Sequence, residues 1–171
     1  MNCEALQLDH EGWSNPRLPV LVYRAALATR GGVDDPATHF EAIFNKHGWP
    51  AQWRNGVYEF HHYHSNAHEV LGVAGGSARL RLGGPEGEDV GVAAGDAVLL
   101  PAGTGHVLVQ ADPGFLVVGA YPPDQQNFDI CRAPASAKIA FQMAHLAFPA
   151  KDPMDGIDGP LSQFWRRQPL P

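Results

Sequence analysis

The stretch GVYEFHHYHSNAHEVLGVAGG, residues 56–76, is the most informative part of this chain. It alternates in the manner of a strand from Val57 onward, and it holds four of the nine histidines. Neutral imidazole is the commonest metal ligand in proteins, and residues two apart on a strand point to the same face. We therefore expect His62 and His64 to present both rings to one metal ion.

Two further residues complete the candidate site. Glu69 begins the next apolar run and offers a carboxylate from the neighbouring strand, and His106 follows the turn PAGTG at 101–105 and offers a third imidazole. Three nitrogens and one oxygen suit iron(II), manganese, nickel, zinc or copper, whereas calcium and magnesium prefer oxygen ligands. The residues thus predict one divalent transition metal ion held by four side chains.

The other two histidines of the cluster, His61 and His68, point away from that face by strand alternation. We assign them to the surface or to positions behind the ligands. The loop-like SNA at 65–67 leaves one alternative open, because a β-bulge there would turn His68 inward.

Residues that share the parity of the ligands are expected to line a pocket beside them. The candidates for substrate binding, or for contacts behind the ligands, are Tyr58, Phe60, Gln110 and Tyr121. Arg79 and Arg81 alternate with leucines, and we place both on the outer face of the sheet. An arginine that pointed inward would instead indicate a carboxylate or phosphate substrate.

The chain on both sides of the histidine cluster carries the signals of an all-β fold. Short apolar runs are separated by Gly, Pro and Asp residues of the kind that form turns. These runs are 68–74, 78–82, 90–93, 97–100, 106–110 and 115–121. Strands that recur about every 8–12 residues between turns are typical of a β-sandwich or a barrel.

The two ends of the chain complete one domain in three parts. Residues 1–54 are predicted to form an arm, with a strand or extended segment at 18–28 and a short helix that packs on the barrel. Asp35 is its expected N-cap, before Pro36. Residues 55–123 form the barrel core, and residues 124–171 are a C-terminal extension packed on the barrel, with one docked helical turn in LSQFWRR.

Composition excludes several classes of function. The 171 residues include 12 Lys plus Arg and 18 Asp plus Glu, a formal net charge of −6, which argues against a nucleic-acid-binding protein. No apolar run approaches the roughly 20 residues of a membrane span, and the N-terminus lacks the features of a secretory signal. Cys3 and Cys131 are expected to be unpaired thiols in the reducing cytoplasm.

The spacing of these residues resembles the two motifs of the cupin superfamily. The first motif is Gly, five residues, His, one residue, His, three or four residues, Glu, six residues, Gly. Here it is formed by Gly56, His62, His64, Glu69 and Gly76. The second motif is Gly, five residues, Pro, one residue, Gly, two residues, His, three residues, Asn. Here it is formed by Gly95, Pro101, Gly103 and His106, with Gln110 in the place of Asn.

The resemblance implies a double-stranded β-helix, or jelly-roll barrel, that holds a divalent metal through His62, His64, Glu69 and His106. The chain is most similar to a group of uncharacterised bacterial single-domain cupins that carry HYHS…HEVLGV, here His62 to Val73. The superfamily implies a metal-dependent enzyme of dioxygenase type acting on a small organic molecule. Glu69 would remain a ligand in it or exchange with substrate and act as a catalytic base.

Two alternatives remain open at this point. One is a non-catalytic module that binds a small molecule or a metal, and the other is a sugar or sugar-phosphate isomerase or epimerase. A phosphate favours a basic pocket, and Lys and Arg do not cluster near the motifs.

We expect a small-molecule ligand, no nucleic-acid or membrane partner, and a homodimer in which the apolar LPVLVY segment at 18–23 serves the contact. The alternative for that segment is packing on its own barrel.

Overall fold

Short strands joined by tight turns make up most of the chain. The structure is a computed structural model that describes residues 2–28 and 35–165. Its strands are β1 (Asn2–Leu6), β2 (Val20–Arg24), β3 (Ala51–Asn55), β4 (Glu69–Gly75), β5 (Ser77–Leu82), β6 (Glu88–Ala93), β7 (Ala97–Leu100), β8 (His106–Ala111) and β9 (Leu116–Ala120). Its helices are α1 (Pro36–Lys46), α2 (Ala137–Ala144) and α3 (Pro160–Phe164).

The strands form two antiparallel sheets, which confirms the all-β jelly-roll barrel. The larger sheet has the order β1-β2-β7-β4-β9-β3, and the smaller has the order β6-β5-β8. Apolar side chains from both sheets share one core cluster, among them Leu71, Val98, Leu80 and Leu82. The six strands predicted between residues 68 and 121 are confirmed as β4 to β9, with each end within two residues of its expected place.

Alternation along β4 connects the candidate site to the core. Leu71 belongs to the cluster between the sheets, on the same side as Glu69, while Val70 belongs to a second cluster on the outer face. Helix α1 covers that outer face with Phe40 and Phe44, both fully buried. A Cβ atom on Gly72 would lie 2.5 Å from the Phe40 ring, so the close approach of helix and sheet requires glycine there.

The caps of α1 agree with the sequence. The Asp35 side chain accepts a hydrogen bond from the Ala37 amide at 3.1 Å, and Pro36 occupies the first turn. Gly48 follows the helix with φ of +80°, a conformation that glycine adopts without strain. The predicted helix is therefore confirmed.

The alternating segment 56–64 is not the regular strand that its pattern indicates. It makes isolated bridges to two different partners, His62 with His106 and Tyr63 with Cys131. A continuous ladder needs one neighbour that runs alongside over several residues, and here the neighbours change from one residue to the next. The side chains of His62 and His64 are nevertheless both buried, on the cavity side.

The N-terminal part supplies three strands to the larger sheet. The sequence predicts an arm and a short helix packed on the barrel there, with a strand or extended segment at 18–28. Strand β2 pairs with β1 and β7, and β3 pairs with β9. The apolar segment 18–23 is consequently paired within its own barrel on both sides, which is the alternative named for it. Strand β3 gave no recognisable alternation in the sequence, because Gln52, Arg54 and Asn55 are all exposed.

The C-terminal part returns over the outer face. Helix α3 and the buried Trp165 confirm the docked turn predicted in LSQFWRR, of which residues 166 and 167 lie outside the described residues. Helix α2 was not predicted, because it buries none of its residues. No helix within the described ranges is long and apolar enough to cross a lipid bilayer.

One buried carboxylate fastens this C-terminal return to the sheet. Asp152 is fully buried, and its Oδ2 accepts hydrogen bonds from the Tyr23 hydroxyl at 2.7 Å and the Leu161 amide at 2.9 Å. Its Oδ1 accepts from the amides of Met154 at 2.7 Å and Asp155 at 3.0 Å. Four donors to one carboxylate compensate for its loss of hydration.

Candidate metal centre

Three buried histidines meet at one point inside the barrel. One ring nitrogen from each of His62, His64 and His106 lies within 4.8 Å of the others. The backbones of His62 and His106 are hydrogen-bonded to each other in both directions, at 3.3 and 2.8 Å, which holds their rings with centroids 4.0 Å apart. The sequence prediction of these three residues as one cluster agrees with their placement.

Each of the three rings is fixed by its Nδ1 atom. His62 Nδ1 donates to the Phe60 carbonyl at 3.0 Å, and His106 Nδ1 donates to the Thr104 carbonyl at 2.9 Å. His64 Nδ1 donates to a carbonyl from a distant segment, that of Asp129. A carbonyl oxygen only accepts, so the proton of each neutral ring is on Nδ1 and the lone pair is on Nε2. All three rings thus offer Nε2 as a ligand.

Glu69 adds a carboxylate oxygen to this group. Its side chain is 2% exposed, and its Oε1 accepts a hydrogen bond from the Tyr121 hydroxyl at 2.6 Å. Its Oε2 lies 3.3 Å from Nε2 of His64 and 3.3 Å from Nε2 of His106. Because both neutral rings hold their proton on Nδ1, this oxygen has no hydrogen-bond partner among the residues that the structure describes.

The unpartnered oxygen tests whether a metal ion fits the site. A buried carboxylate oxygen that faces two imidazole lone pairs is destabilised, both by lost hydration and by repulsion. A cation that binds these lone pairs removes both costs. Three nitrogens and one oxygen are a donor set suited to a divalent transition metal, so the residues fit the ion predicted from the sequence.

The pKa values of the candidate ligands reflect burial, which disfavours charge, and the charges of their neighbours. Burial, aided by His106, lowers the pKa of His62 to about 3, so this imidazole is a neutral ligand at physiological pH. When His64 carries a second proton, on Nε2, its ring attracts the Glu69 carboxylate. Burial opposes charge on both groups, but this attraction outweighs it. The pKa of Glu69 is therefore held well below its usual range, and the pKa of His64 is raised. As the pH falls, protons compete with a metal ion at His64 before they do so at His62.

A cavity of about 310 Å³ opens above the ligands. Its walls are mostly apolar and aromatic, formed by Trp53, Val57, Tyr58, Leu71, Tyr121 and Phe128. Among the residues that the structure describes, no lysine or arginine lines it. A pocket of this size admits a small organic molecule, with the four candidate ligands at its base.

The predicted pocket residues are placed differently from one another. Tyr58 lines the cavity with half of its surface exposed, at 51%, and Tyr121 lines it while fully buried. Phe60 lies behind the wall: it stacks on Tyr58 at 4.7 Å and contacts the edge of His62 at 5.4 Å. The guanidinium of Arg132 covers the Phe60 ring at 3.9 Å.

Gln110 does not line the cavity. In the pairing of β5 with β8, Leu80 faces Leu108 and Arg79 faces Gln110. Two consecutive residues of β5 are thus paired with residues of β8 that lie two apart, so β8 has one extra residue between the two pairs. Paired residues point to the same side of a sheet, and Arg79 is exposed on the outer face as predicted. Gln110 is therefore turned outward with it, contrary to the parity expected from an uninterrupted strand.

Three residues of the site carry no spacing signal in the sequence. The Trp53 indole donates to the Tyr121 oxygen at 2.9 Å, and Phe128 stacks on Tyr121 at 4.4 Å and meets the edge of His64 at 5.0 Å. Asp129 provides the carbonyl for His64. Trp53 comes from β3, and the other two come from the loop after β9, so only the tertiary fold brings them to the ligands.

His68 and His61 lie outside the ligand group. His68 is 2% exposed, and its Nδ1 accepts a hydrogen bond from the Ala102 amide at 3.0 Å while its ring packs on Trp165 at 4.9 Å. It is thus buried behind the ligands, on the far side of the sheet. His61 is half-buried beside Trp13, with ring centroids 5.9 Å apart.

The hydrogen bond from Tyr121 to Glu69 leads to a testable expectation. Replacing Tyr121 by Phe leaves Oε1 of Glu69 without its donor and frees the carboxylate to rotate. We expect metal affinity to fall by about tenfold or more, as is usual when a hydrogen-bond partner of a ligand is lost. Competition titration with a chromophoric chelator measures it. Trp53→Phe keeps the bond to Glu69 and should lose less; equal affinities in Tyr121→Phe and the unmodified protein would contradict this role.

Comparison with known proteins agrees with the fold. Residues 54–147, more than half of the chain, match the family model described as Cupin. The Uncharacterized protein YjlB of Bacillus subtilis (strain 168) is 37% identical over 153 residues, which cover 89% of this chain and 88% of that protein.

Solved structures are more distant. Acireductone dioxygenase from Bacillus anthracis, with a cadmium ion in its active centre, is 16% identical with a TM-score of 0.39, over 58% of this chain and 63% of that one. DMSP lyase DddQ from Ruegeria pomeroyi DSS-3 is 16% identical with a TM-score of 0.35, over 80% of this chain and 51% of that one. This chain thus spans less than two thirds of either solved chain. The family match and the relative with 37% identity establish that the chain belongs to the cupin family.

Proposed function

We propose that this cupin binds one divalent transition metal ion through His62, His64, His106 and Glu69 and catalyses an oxidation of dioxygenase type on a small organic molecule. One observation carries the proposal. The Nε2 atoms of three fixed rings and the unpartnered Oε2 of Glu69 converge at the base of an aromatic cavity. Such a donor set at the base of a pocket is suited to metal-dependent catalysis.

The metal ion and the chain would divide the chemistry. A bound transition metal supplies Lewis-acid polarisation of a substrate oxygen and one-electron chemistry with dioxygen. Tyr121 donates to Oε1 of Glu69 and so leaves only Oε2 directed at the ligand group. If a substrate hydroxyl takes the place of Glu69 as a ligand, Oε2 of Glu69 would accept its proton. Leu71 and Phe128 provide apolar wall beside the ligands.

The cavity walls support a substrate without phosphate. A phosphoryl group needs arginine, lysine or a set of backbone amides, and the described lining residues contain neither lysine nor arginine. Four aromatic side chains offer flat apolar contacts instead. This lining disfavours the sugar-phosphate isomerase and favours a small planar or apolar compound with one or two oxygen atoms.

Oxygen consumption tests the proposal. Tag-free protein is loaded with iron(II) and incubated with a panel of small acids, thiols and diketones in an oxygen electrode. We expect uptake with one class of compound, with product formed in proportion. The same protein loaded with zinc should consume no oxygen, because zinc has no redox chemistry. Phosphorylated sugars should be neither oxidised nor isomerised.

The panel also separates an enzyme from a binding module. Tight binding of one compound to the iron-loaded protein, without oxygen uptake or conversion, would contradict catalysis and leave the non-catalytic module as the function. Calorimetric titration of each compound into the iron-loaded protein measures this binding. The same titration on metal-free protein shows whether the compound needs the ion, as an enzyme of this kind requires.

We also propose a homodimer in the reducing cytoplasm. Strand β1 forms one outer edge of the larger sheet and exposes Asn2, Glu4 and Ala5. An open edge can pair with the same edge of a second copy. Cys3 and Cys131 are both unpaired, as thiols are in a reducing compartment. Light scattering should give twice the mass of one chain, and a mass of one chain at about 100 μM would contradict the dimer.

A further inference from the structure

A second and larger cavity lies on the opposite side of the sheet from the metal centre. Its volume is about 1000 Å³. It is bounded by the segment 9–18 on one side and by α2 and the residues after it on the other, with His68 between them. Within the described ranges 2–28 and 35–165, the first cavity and this one share no lining residue. A volume of this size is at the upper end of the range for small-molecule sites.

Helix α2, which covers this cavity, presents an apolar face to it. Ala137, Ala140, Met143 and Ala144 line the cavity, and their spacing places them on one face of α2. No residue of the helix is buried, although its sequence is amphipathic and Ser136 caps its first turn. The apolar face of α2 therefore has no core of its own and borders the cavity instead.

The polar groups on the other wall are mostly satisfied by the backbone. The Ser14 hydroxyl accepts from the His10 amide at 2.8 Å and donates to the His10 carbonyl at 3.0 Å. The Asn15 amide donates to the Ala102 carbonyl at 3.0 Å and its oxygen accepts from two backbone amides. These groups shape the segment 9–18 and have little capacity left for a ligand.

His68 is the exception. It is 2% exposed, and its Nδ1 is occupied as an acceptor by the Ala102 amide at 3.0 Å. That bond puts the ring proton on Nε2, which has no hydrogen-bond partner among the described residues and borders the cavity. A donor without a protein partner, on a side chain that lines a cavity, can be paired by an acceptor atom of a bound molecule.

We propose that this cavity is a second binding site, for an uncharged amphipathic small molecule whose apolar body lies under α2 and whose carbonyl oxygen accepts the Nε2–H of His68. Among the described lining residues, Asp9 and Glu11 carry negative charge and Arg17 carries positive charge, a balance that disfavours an anion. The site is independent of the metal centre and of the reaction proposed for it.

A neutral fluorescent ketone tests the proposal. The probe is 6-propionyl-2-(dimethylamino)naphthalene, which has an apolar body and one carbonyl and shifts its emission to the blue in an apolar site. The full-length protein should bind about one probe per chain in the micromolar range. The analogue with propyl in place of propionyl should compete about fivefold less well, because it leaves the His68 donor unpaired.

Two substitutions on α2 locate the probe. Ala140→Trp fills the cavity and should weaken binding by about tenfold or more, whereas Gln142→Trp, on the outer side of the same helix, should change it less than about twofold. Circular dichroism checks that both variants keep the fold. The double variant His62→Ala/His64→Ala should bind the probe as well as the unmodified protein does.

Three results would overturn the second site. They are absence of probe binding up to about 100 μM, equal binding by Ala140→Trp and Gln142→Trp, and loss of binding in the His62→Ala/His64→Ala variant. The last would place the probe in the metal cavity. Failure here leaves the proposed metal centre untouched, because metal content and oxygen uptake are measured separately.

Discussion

Replacing His62 and His64 together by alanine should abolish metal binding. The purified, tag-free protein is expected to hold about one transition metal ion per chain, and the double variant to hold less than about a tenth of that. Two of the three Nε2 donors are lost, and His106 with Glu69 cannot enclose an ion between them. Elemental analysis by mass spectrometry measures the metal content.

His61→Ala is the matched control for that experiment. His61 is the chain neighbour of His62, but it packs beside Trp13 and lies outside the ligand group. Its loss should leave metal content unchanged. Full metal content in the double variant, or an equal loss in His61→Ala, would refute the assignment of the site.

Replacing Asp152 by alanine should cause the largest loss of stability outside the hydrophobic core. The change leaves the Tyr23 hydroxyl and three backbone amides, of Met154, Asp155 and Leu161, without an acceptor in a buried place. We expect the free energy of unfolding to fall by about 3–5 kcal/mol, as when a buried charged partner is removed. Urea unfolding followed by circular dichroism measures the difference.

Two further variants test how much of this loss of stability comes from the buried hydrogen bonds of Asp152. Tyr23→Phe removes one of the four donors and should cost about 1–2 kcal/mol. Asp158→Ala changes an exposed carboxylate in the same segment and should stay within about 0.5 kcal/mol. A loss below about 1 kcal/mol for Asp152→Ala would mean that Asp152 does not fasten the C-terminal return to the sheet.

The sequence was most informative where local rules coincide with the tertiary structure. His62 and His64 lie two residues apart and both face the cavity, although their segment is not a regular strand, and Glu69 opens the apolar run that becomes β4. Asp35 and Gly48 mark the ends of α1 for equally local reasons. Spacing could therefore anticipate the ligand group and most of the strands.

The remaining features depend on contacts between distant segments. Gln110 faces outward because an extra residue enters β8, which the sequence of one strand does not reveal. Phe128 and Asp129 reach His64 from a loop more than sixty residues away, with no periodicity to mark them. Helix α2 was also not predicted, although its sequence is amphipathic; its apolar face borders a cavity rather than a core.

The hydrogen bonds from the three histidine rings to backbone carbonyls bear on which metal ion the site can bind. Phe60, Thr104 and Asp129 hold the histidines through the backbone, so the rings need not turn when an ion enters or leaves. Such a frame offers the same four donors to iron, manganese, nickel, zinc or copper, and intrinsic affinity alone then favours copper and zinc. If the proposed centre binds a metal, the ion that occupies it would therefore depend on which metal is available, and exchange of the ion would not require the chain to refold.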